Sequence, residues 1–175
     1  MSDPASTQRH IAFLSATAFE GLGISGGALI VNGVGRPIEF HCSTPVAANR
    51  TQEILFGATL DAFLYCEQVG QALLSEMKTQ PDLIVVNQVQ LAELPGFTSI
   101  PVVLLSNDLS KNELTEVTAG HYRYSIGDNE VTFLTSLADY SPFKDLLDAF
   151  HRQLPIDEPF ERVSQALDEA HAVAR

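Results

Sequence analysis

Two short runs of continuous apolar residues constrain the fold of this chain more than any other feature of its sequence. They lie in residues 82–86, where Asp82 precedes Leu-Ile-Val-Val, and in residues 100–105, Ile-Pro-Val-Val-Leu-Leu. A continuous apolar run of this length is typical of a strand that is buried on both faces of a sheet. Because helical sequence lies before and between the two runs, we expect parallel strands that are joined by crossover connections.

A predicted strand and a hairpin precede these two runs. Residues 10–19 are the predicted first strand, and Asn32 followed by Gly33 is a strong turn signal between two β-prone segments. In the returning strand, residues 36–44, successive side chains point to opposite faces of the sheet. We assign one alternate set to the core, namely Ile38, Phe40 and Cys42. The opposite set consists of Glu39, His41 and Ser43.

A single long helix is predicted over residues 51–78, with Asn49 or Thr51 as its N-cap. Its main apolar stripe recurs at the helical period and comprises Leu55, Ala58, Ala62, Cys66, Val69, Leu73 and Met77. A second apolar patch, which interrupts the polar side of the helix, consists of Phe56, Leu60, Phe63 and Leu64. Large apolar patches mark interfaces, so we expect this patch to form a homodimer interface. The alternative is that the C-terminal helix of the same chain covers it.

The remainder of the chain completes one domain. The sequence predicts a short helix over residues 109–117, an antiparallel hairpin over 121–134, and helices over about 141–154 and 157–174. Residues 1–8 read as a polar leader, and no linker divides residues 9–175. The expected fold class is a single α/β domain with a mixed sheet, an N-terminal antiparallel hairpin, a long central helix and a helical C-terminus.

The order of these elements over roughly residues 10–105 resembles the ribonuclease H-like arrangement, in which three antiparallel strands and a helix precede parallel strands. Catalytic members of that family need clustered carboxylates to hold divalent metal. In this chain the middle of the first strand carries Ser15 and Thr17, and the fourth strand ends in Asn87. The resemblance therefore implies the fold without the metal-dependent nuclease chemistry.

Composition narrows the classes of function. The formal net charge of −12 disfavours binding to nucleic acid or to an anionic membrane, because phosphate contacts need a basic surface. No apolar run reaches the roughly 18 residues that a spanning helix requires, and residues 1–10 lack the apolar core of a signal peptide. Two cysteines are too few for a disulfide framework or a zinc ribbon. We therefore expect a cytoplasmic protein with no metal and no cofactor.

A glycine-rich segment follows the first strand, and the spacing of Gly21, Gly23 and Gly26 formally matches the dinucleotide-binding fingerprint. However, a β-prone segment, residues 28–31, follows at the place where a phosphate-binding helix should begin. We interpret the glycines as a flexible or tightly turned connection, since glycine tolerates positive φ.

The cysteines offer limited chemistry. Cys42 and Cys66 could form a redox pair or share a metal, but free cysteines are commonly small buried apolar groups, and we expect both to be buried. His41 cannot serve as the base for the neighbouring Cys42, because adjacent residues of a strand point to opposite faces. A thiol hydrolase is therefore disfavoured.

Glu39 and His41 are the candidate catalytic residues. They lie two residues apart on one face of a strand, which suits metal chelation or general acid–base catalysis. The alternative is an ordinary ion pair on a solvated strand face. Because no catalytic signature is present, the leading hypothesis is a non-enzymatic interaction and oligomerisation module, homodimeric and without a nucleic-acid or membrane partner. The alternative is a small-molecule or metal-dependent enzyme that uses Glu39 and His41.

Overall fold

A seven-stranded mixed sheet forms the centre of the protein in the computed structural model, which describes residues 8–107 and 121–172. The strands are β1 (His10–Phe19), β2 (Gly23–Asn32), β3 (Pro37–Cys42), β4 (Leu83–Val86), β5 (Val102–Asn107), β6 (Arg123–Ile126) and β7 (Asn129–Phe133). Their spatial order is β3-β2-β1-β4-β5-β7-β6. The neighbours β1, β4 and β5 are parallel, and the other neighbouring pairs are antiparallel. The predicted mixed-sheet α/β fold class is confirmed.

Helices cover both faces of the sheet. Between β3 and β4 the chain forms α1 (Arg50–Phe56), α2 (Leu60–Ala62), a π-helix (Phe63–Gly70) and α3 (Gln71–Glu76). After β7 it forms α4 (Ser141–Gln153) and α5 (Glu158–Ala172), close to the two predicted C-terminal helices. Short 3₁₀ turns occupy Gly57–Thr59, Val89–Leu91 and Leu94–Phe97.

The apolar core has two halves, one on each face of the sheet. Because side chains alternate along a strand, Ile11 and Phe13 of β1 pack with α4 and α5, whereas Ala12 and Leu14 pack with the π-helix and α3. All four residues of β4 are fully buried. The continuous apolar runs are therefore explained by strands that lie between two helical layers.

The predicted long helix is a series of helical segments. Gly57 ends α1 with a positive φ of 50°, and its N–H bonds to the carbonyl of Glu53. Farther along, π-type hydrogen bonds join residues five apart, as from the Gln71 N–H to the Cys66 carbonyl. Leu55, which the helical wheel assigned to the core, is 78% exposed because it lies before the break at Gly57.

The face of β3 that we assigned to the core is the outer one. Ile38 and Phe40 are 46% and 38% exposed, and Cys42 is exposed as well. Glu39 and His41 are only partly exposed, because the chain at the end of α3 covers their face. On the opposite face, α5 packs on β1 and β2 and leaves the edge strand β3 partly uncovered.

The described residues do not include every predicted element. The short helix over residues 109–117 lies outside them, as does the polar leader apart from residue 8. The predicted C-terminal hairpin corresponds to β6 and β7. No helix within residues 8–107 and 121–172 is long and apolar enough to cross a membrane.

Candidate functional site

A crevice of about 220 Å³ opens at the carboxyl ends of β4 and β5. In open α/β sheets, ligands generally bind outside the carboxyl ends of the parallel strands. This crevice has both polar and apolar lining: Asn87, Ser106, Asn107, Asn129 and Asp157, together with Val89, Leu104, Leu105 and Phe160. We call it the carboxyl-end crevice and treat it as the primary candidate site.

The polar side chains of the carboxyl-end crevice lie at or beside the ends of strands and of one helix. Asn87 follows the last residue of β4, and Asn107 is the last residue of β5. Asn129 opens β7 and pairs with Asn107 in the antiparallel register. Asp157 directly precedes α5, whose first turn contributes the buried Phe160. Three strands and one helix therefore converge on the site.

Two carboxamides of the crevice have no hydrogen-bond partner among the described residues. Asn87 and Asn107 are exposed, and neither side chain hydrogen-bonds to any other residue that the structure describes. A carboxamide offers two N–H donors and a carbonyl acceptor. The crevice can therefore satisfy a ligand that presents both donors and acceptors.

The donor set of the crevice does not fit a cluster of divalent metal ions. Paired residues of β1 and β4 end at Leu14 and Val86, so Ser15 and Asn87 follow on neighbouring strands, and neither carries a carboxylate. Asp157 is the one carboxylate among the described residues that line the crevice. Across residues 8–107 and 121–172, no group of three or more His, Cys, Asp or Glu side chains could hold a metal ion.

Sequence reasoning noted Asn87 only as the end of the fourth strand, where no carboxylate stands, and it did not predict Asn87, Ser106, Asn107, Asn129 or Asp157 as site residues. A signal was present, because Asn87 directly follows one buried apolar run, and Ser106 and Asn107 directly follow the other. The carboxyl ends of parallel strands meet at one edge of a sheet, so these polar residues could have been grouped. Asn129 could not, because its position depends on the antiparallel return of β7 to β5.

Glu39 and His41 form a separate arrangement on the edge strand. The His41 Nε2 atom lies 2.6 Å from Glu39 Oε1. The same carboxylate accepts the backbone N–H groups of Lys78 and Thr79 at 2.6 and 2.8 Å. The Lys78 N–H and then the His41 ring are the main causes that lower the pKa of Glu39 from 4.5 to about 2. Glu39 thereby ties the chain after α3 to β3.

A second cavity, of about 440 Å³, lies beside this pair, and its lining includes His41, Cys42, Gln68 and Glu76. A carboxylate that holds one ring nitrogen orients the imidazole and leaves the other nitrogen to exchange a proton. Glu39 is poorly suited to bind metal, since its oxygens already accept three hydrogen bonds. The pair is better suited to proton transfer than to chelation.

The two cysteines have different environments. Cys66 is fully buried, and its thiol donates to the Gln90 carbonyl at 3.3 Å. Desolvation by burial raises the pKa of Cys66 to about 11. Cys42 is exposed on the edge strand, so the prediction that both thiols are buried is wrong for Cys42.

The four predicted interface residues do not form the exposed patch that we expected. Leu64 is buried, and Phe56, Leu60 and Phe63 are partly buried. The rings of Phe56 and Phe63 stack with centroids 4.0 Å apart. The break at Gly57 allows these rings to cover each other within one chain.

The glycine-rich segment is the turn between β1 and β2. Gly21 and Gly23 have positive φ values of 75° and 107°, and β2 begins directly at Gly23. No helix follows the segment, which agrees with the interpretation as a tightly turned connection.

No protein-family model matches the sequence, and no curated protein matches it. Among solved structures, two complexes of Ciona intestinalis Endonuclease V with inosine-containing DNA are 7% and 6% identical to this chain, each with a TM-score of 0.54. The alignments cover 93% of this chain and 86% and 87% of those chains. The catalytic domain of human Endonuclease V is 13% identical, with a TM-score of 0.52, over 96% of this chain and 86% of that chain. The likeness shows a shared fold, that of ribonuclease H-like nucleases.

These neighbours correct two of our expectations. The non-enzymatic protein-interaction module is contradicted, because the fold aligns over nearly the whole chain with structures of an endonuclease. The expected absence of a nucleic-acid partner is contradicted too, because two of the neighbours are bound to DNA. The net charge of −12 disfavours contacts to phosphates, but contacts to uncharged base edges do not need a basic surface.

Proposed function

We propose that this protein is an enzyme that acts on nucleic acid and binds its substrate in the carboxyl-end crevice. The observation that carries the proposal is the convergence of polar side chains at the carboxyl ends of β4 and β5. The alignment with Endonuclease V over most of the chain supports the choice of substrate. Asn87 and Asn107 are the side chains that we expect to contact it.

We place the enzyme in the cytoplasm as part of the same proposal. The two free cysteines stay reduced in that compartment, and one of them is exposed. An exposed thiol in an oxidising compartment would be open to pairing with other molecules.

The proposal is tested by binding and turnover on labelled single- and double-stranded DNA and RNA oligonucleotides, with fluorescence anisotropy for binding and denaturing gels for products. The double variant Asn87→Ala, Asn107→Ala should bind at least about tenfold more weakly, since two hydrogen bonds are lost. The matched control is Gln80→Ala, which removes an exposed carboxamide before the amino end of β4. Binding that is absent throughout, or equal in the double variant and the native protein, would overturn the proposal.

A second candidate function uses the Glu39–His41 pair. We propose that His41, oriented by Glu39 at 2.6 Å, exchanges a proton with a small molecule in the 440 Å³ cavity. The arrangement supports general acid–base catalysis, because Glu39 holds the ring while its own charge is fixed by two backbone N–H groups.

A metabolite panel screened by thermal shift and turnover tests this second candidate. Hits should be lost in His41→Ala and kept in Asn87→Ala, which alters only the carboxyl-end crevice. Hits that His41→Ala leaves unchanged would remove support for the pair, and hits lost only in Asn87→Ala would assign the small molecule to the crevice.

A further inference from the structure

The polar groups of the carboxyl-end crevice have a specific chemical character. Three carboxamides, Asn87, Asn107 and Asn129, and the hydroxyl of Ser106 line it, with Asp157 as the one described carboxylate. Carboxamides pair with ligands that carry adjacent donors and acceptors, and an Asn side chain can bond bidentately to the edge of adenine. They bind divalent cations less well than clustered carboxylates do.

The size and the apolar lining of the crevice restrict what can enter. Its volume of about 220 Å³ is below the roughly 300–1,000 Å³ of sites for drug-sized ligands. Val89, Leu104, Leu105 and the buried Phe160 supply apolar surface beside the carboxamides. A flat ring with a polar edge satisfies both requirements.

The charge of the site opposes the binding of phosphate within it. No Lys or Arg is among the described residues that line the crevice, and Asp157 adds a negative charge. The formal net charge of the chain is −12. Among the described lining residues a phosphate group would therefore find a like charge and no basic partner, while an uncharged base would not be repelled.

From these three observations we infer that the carboxyl-end crevice binds a single uncharged nucleobase through its carboxamides and does so without a divalent metal ion. The inference rests on the proposed function and names the part of the nucleic acid that the crevice recognises. It also accounts for a carboxamide rather than a carboxylate at Asn87, because a carboxylate there would replace donors that a base edge requires.

The first test uses nucleosides, which carry no phosphate. Unlabelled adenosine, guanosine, cytidine, uridine and inosine are titrated into ¹⁵N-labelled protein in EDTA, and the side-chain NH₂ signals of Asn87, Asn107 and Asn129 are followed. At least one nucleoside should shift these signals in EDTA, with the same affinity after Mg²⁺ is added. Asn107→Asp, which keeps the shape but loses the donors, should weaken that binding severalfold, and Gln80→Glu should not.

Salt dependence gives an independent readout. Binding to the base should change little with salt, whereas each phosphate that a protein neutralises on a single strand contributes a slope of about −0.7 in log K against log salt. Oligonucleotides that bind with a steep slope or only with Mg²⁺, while no nucleoside binds, would overturn the inference and leave the proposed function intact. If neither oligonucleotides nor nucleosides bind, the proposed function itself fails.

The third test asks whether the crevice binds a divalent metal ion. Mn²⁺ should not raise the melting temperature of the native protein through this site. The double variant Asn87→Asp, Asn107→Asp assembles three carboxylates with Asp157 and should gain a Mn²⁺-dependent rise. A rise in the native protein that Asp157→Asn abolishes would show a metal site in the crevice and would contradict the inference.

Discussion

The side chain of Gln88 pairs with both backbone groups of Ala16. The Ala16 N–H donates to Gln88 Oε1 at 2.8 Å, and Gln88 Nε2 donates to the Ala16 carbonyl at 2.6 Å. The regular pairing of β1 with β4 ends at Val86, so the carboxamide continues the ladder after the backbone has left it. This holds the end of β4 next to β1 and fixes the point from which Asn87 enters the carboxyl-end crevice.

Replacement of Gln88 by Glu should destabilise the protein by about 1–3 kcal/mol, because the carboxylate cannot donate to the Ala16 carbonyl and leaves it unsatisfied. The matched control is Gln90→Glu, which adds the same charge at an exposed side chain two residues away and should change the free energy of unfolding by less than about 0.5 kcal/mol. Urea denaturation measures both. Equal effects in the two variants would show that the Gln88 bonds contribute nothing to stability.

Glu39 should make stability depend on acid pH. Its pKa is about 2 in the folded protein against 4.5 ordinarily, so the folded state favours the ionised carboxylate. The stabilisation is complete above pH 4.5 and is lost as the pH falls through 4.5 towards 2. Glu39→Gln should cost about 1–2 kcal/mol near neutral pH, and the difference from the native protein should shrink over that window. Urea denaturation at a series of pH values measures it, and a difference that does not vary with pH would contradict the linkage.

The two thiols should differ in both stability and reactivity. Cys66→Ala should destabilise by about 1–3 kcal/mol, since it shrinks a fully buried side chain. Cys42→Ala should change the free energy of unfolding by less than about 0.5 kcal/mol, because Cys42 is exposed. In the native protein a thiol reagent should modify one cysteine rapidly, and mass spectrometry should assign it to Cys42. Rapid modification of Cys66 would contradict its burial and its raised pKa.

The sequence predicted the elements well and their environments less well. β1 was predicted over residues 10–19 and β4 within 82–86, because a strand's apolar pattern is local and can be read directly. The buried face of β3 could not be predicted from its local sequence. Its two faces carry Phe40 on one side and His41 on the other, and the packing of α5 and the end of α3 decides which side is covered. That packing depends on residues more than thirty positions away.

The candidate site was only partly predictable for a similar reason. Asn87 follows an apolar run and is visible in the sequence, but its neighbours across the crevice come from β5, β7 and the start of α5. The alternation of apolar and polar residues along a strand indicates which face of the sheet a side chain occupies, but it does not indicate the order of the strands in the sheet. Glu39 was identified by its spacing from His41, yet its bonds to Lys78 and Thr79 depend on where α3 ends.

The turn between β1 and β2 should tolerate alanine at one glycine and reject it at the other. A Cβ at Gly23 would collide with the backbone carbonyl of Val46, and the φ of Gly23 is 107°. Val46 and Ile24 are held there by two backbone hydrogen bonds of 2.7 and 2.9 Å, so the carbonyl cannot easily retreat. Gly23→Ala should cost about 3 kcal/mol or more, or prevent folding. Gly21→Ala, at φ 75° in open space, should cost about 1–2 kcal/mol. Thermal and urea unfolding of the pair would contradict this if the two costs were equal.

The last prediction concerns a buried histidine. The His171 Nε2 atom lies 2.8 Å from the Oγ of Ser25, and both residues are buried. The Ser25 hydroxyl has a single hydrogen, which it donates to the Ser43 carbonyl at 2.7 Å. The Ser25 oxygen must therefore accept from His171, which places a hydrogen on Nε2 and joins the end of α5 to β2.

Ser25→Ala should destabilise by about 1–3 kcal/mol, because it leaves the His171 N–H buried without an acceptor. His171→Phe removes that donor, so adding it to Ser25→Ala should cost less than it does in the native background. The double-mutant cycle should give a coupling of about 0.5–3 kcal/mol between the two positions. Urea denaturation of the four proteins measures the coupling, and ¹⁵N NMR of the imidazole reports which ring nitrogen carries the hydrogen. A coupling near zero, or a hydrogen found only on Nδ1, would contradict the assigned bond, because a side chain that merely fills space would not depend on the Ser25 hydroxyl.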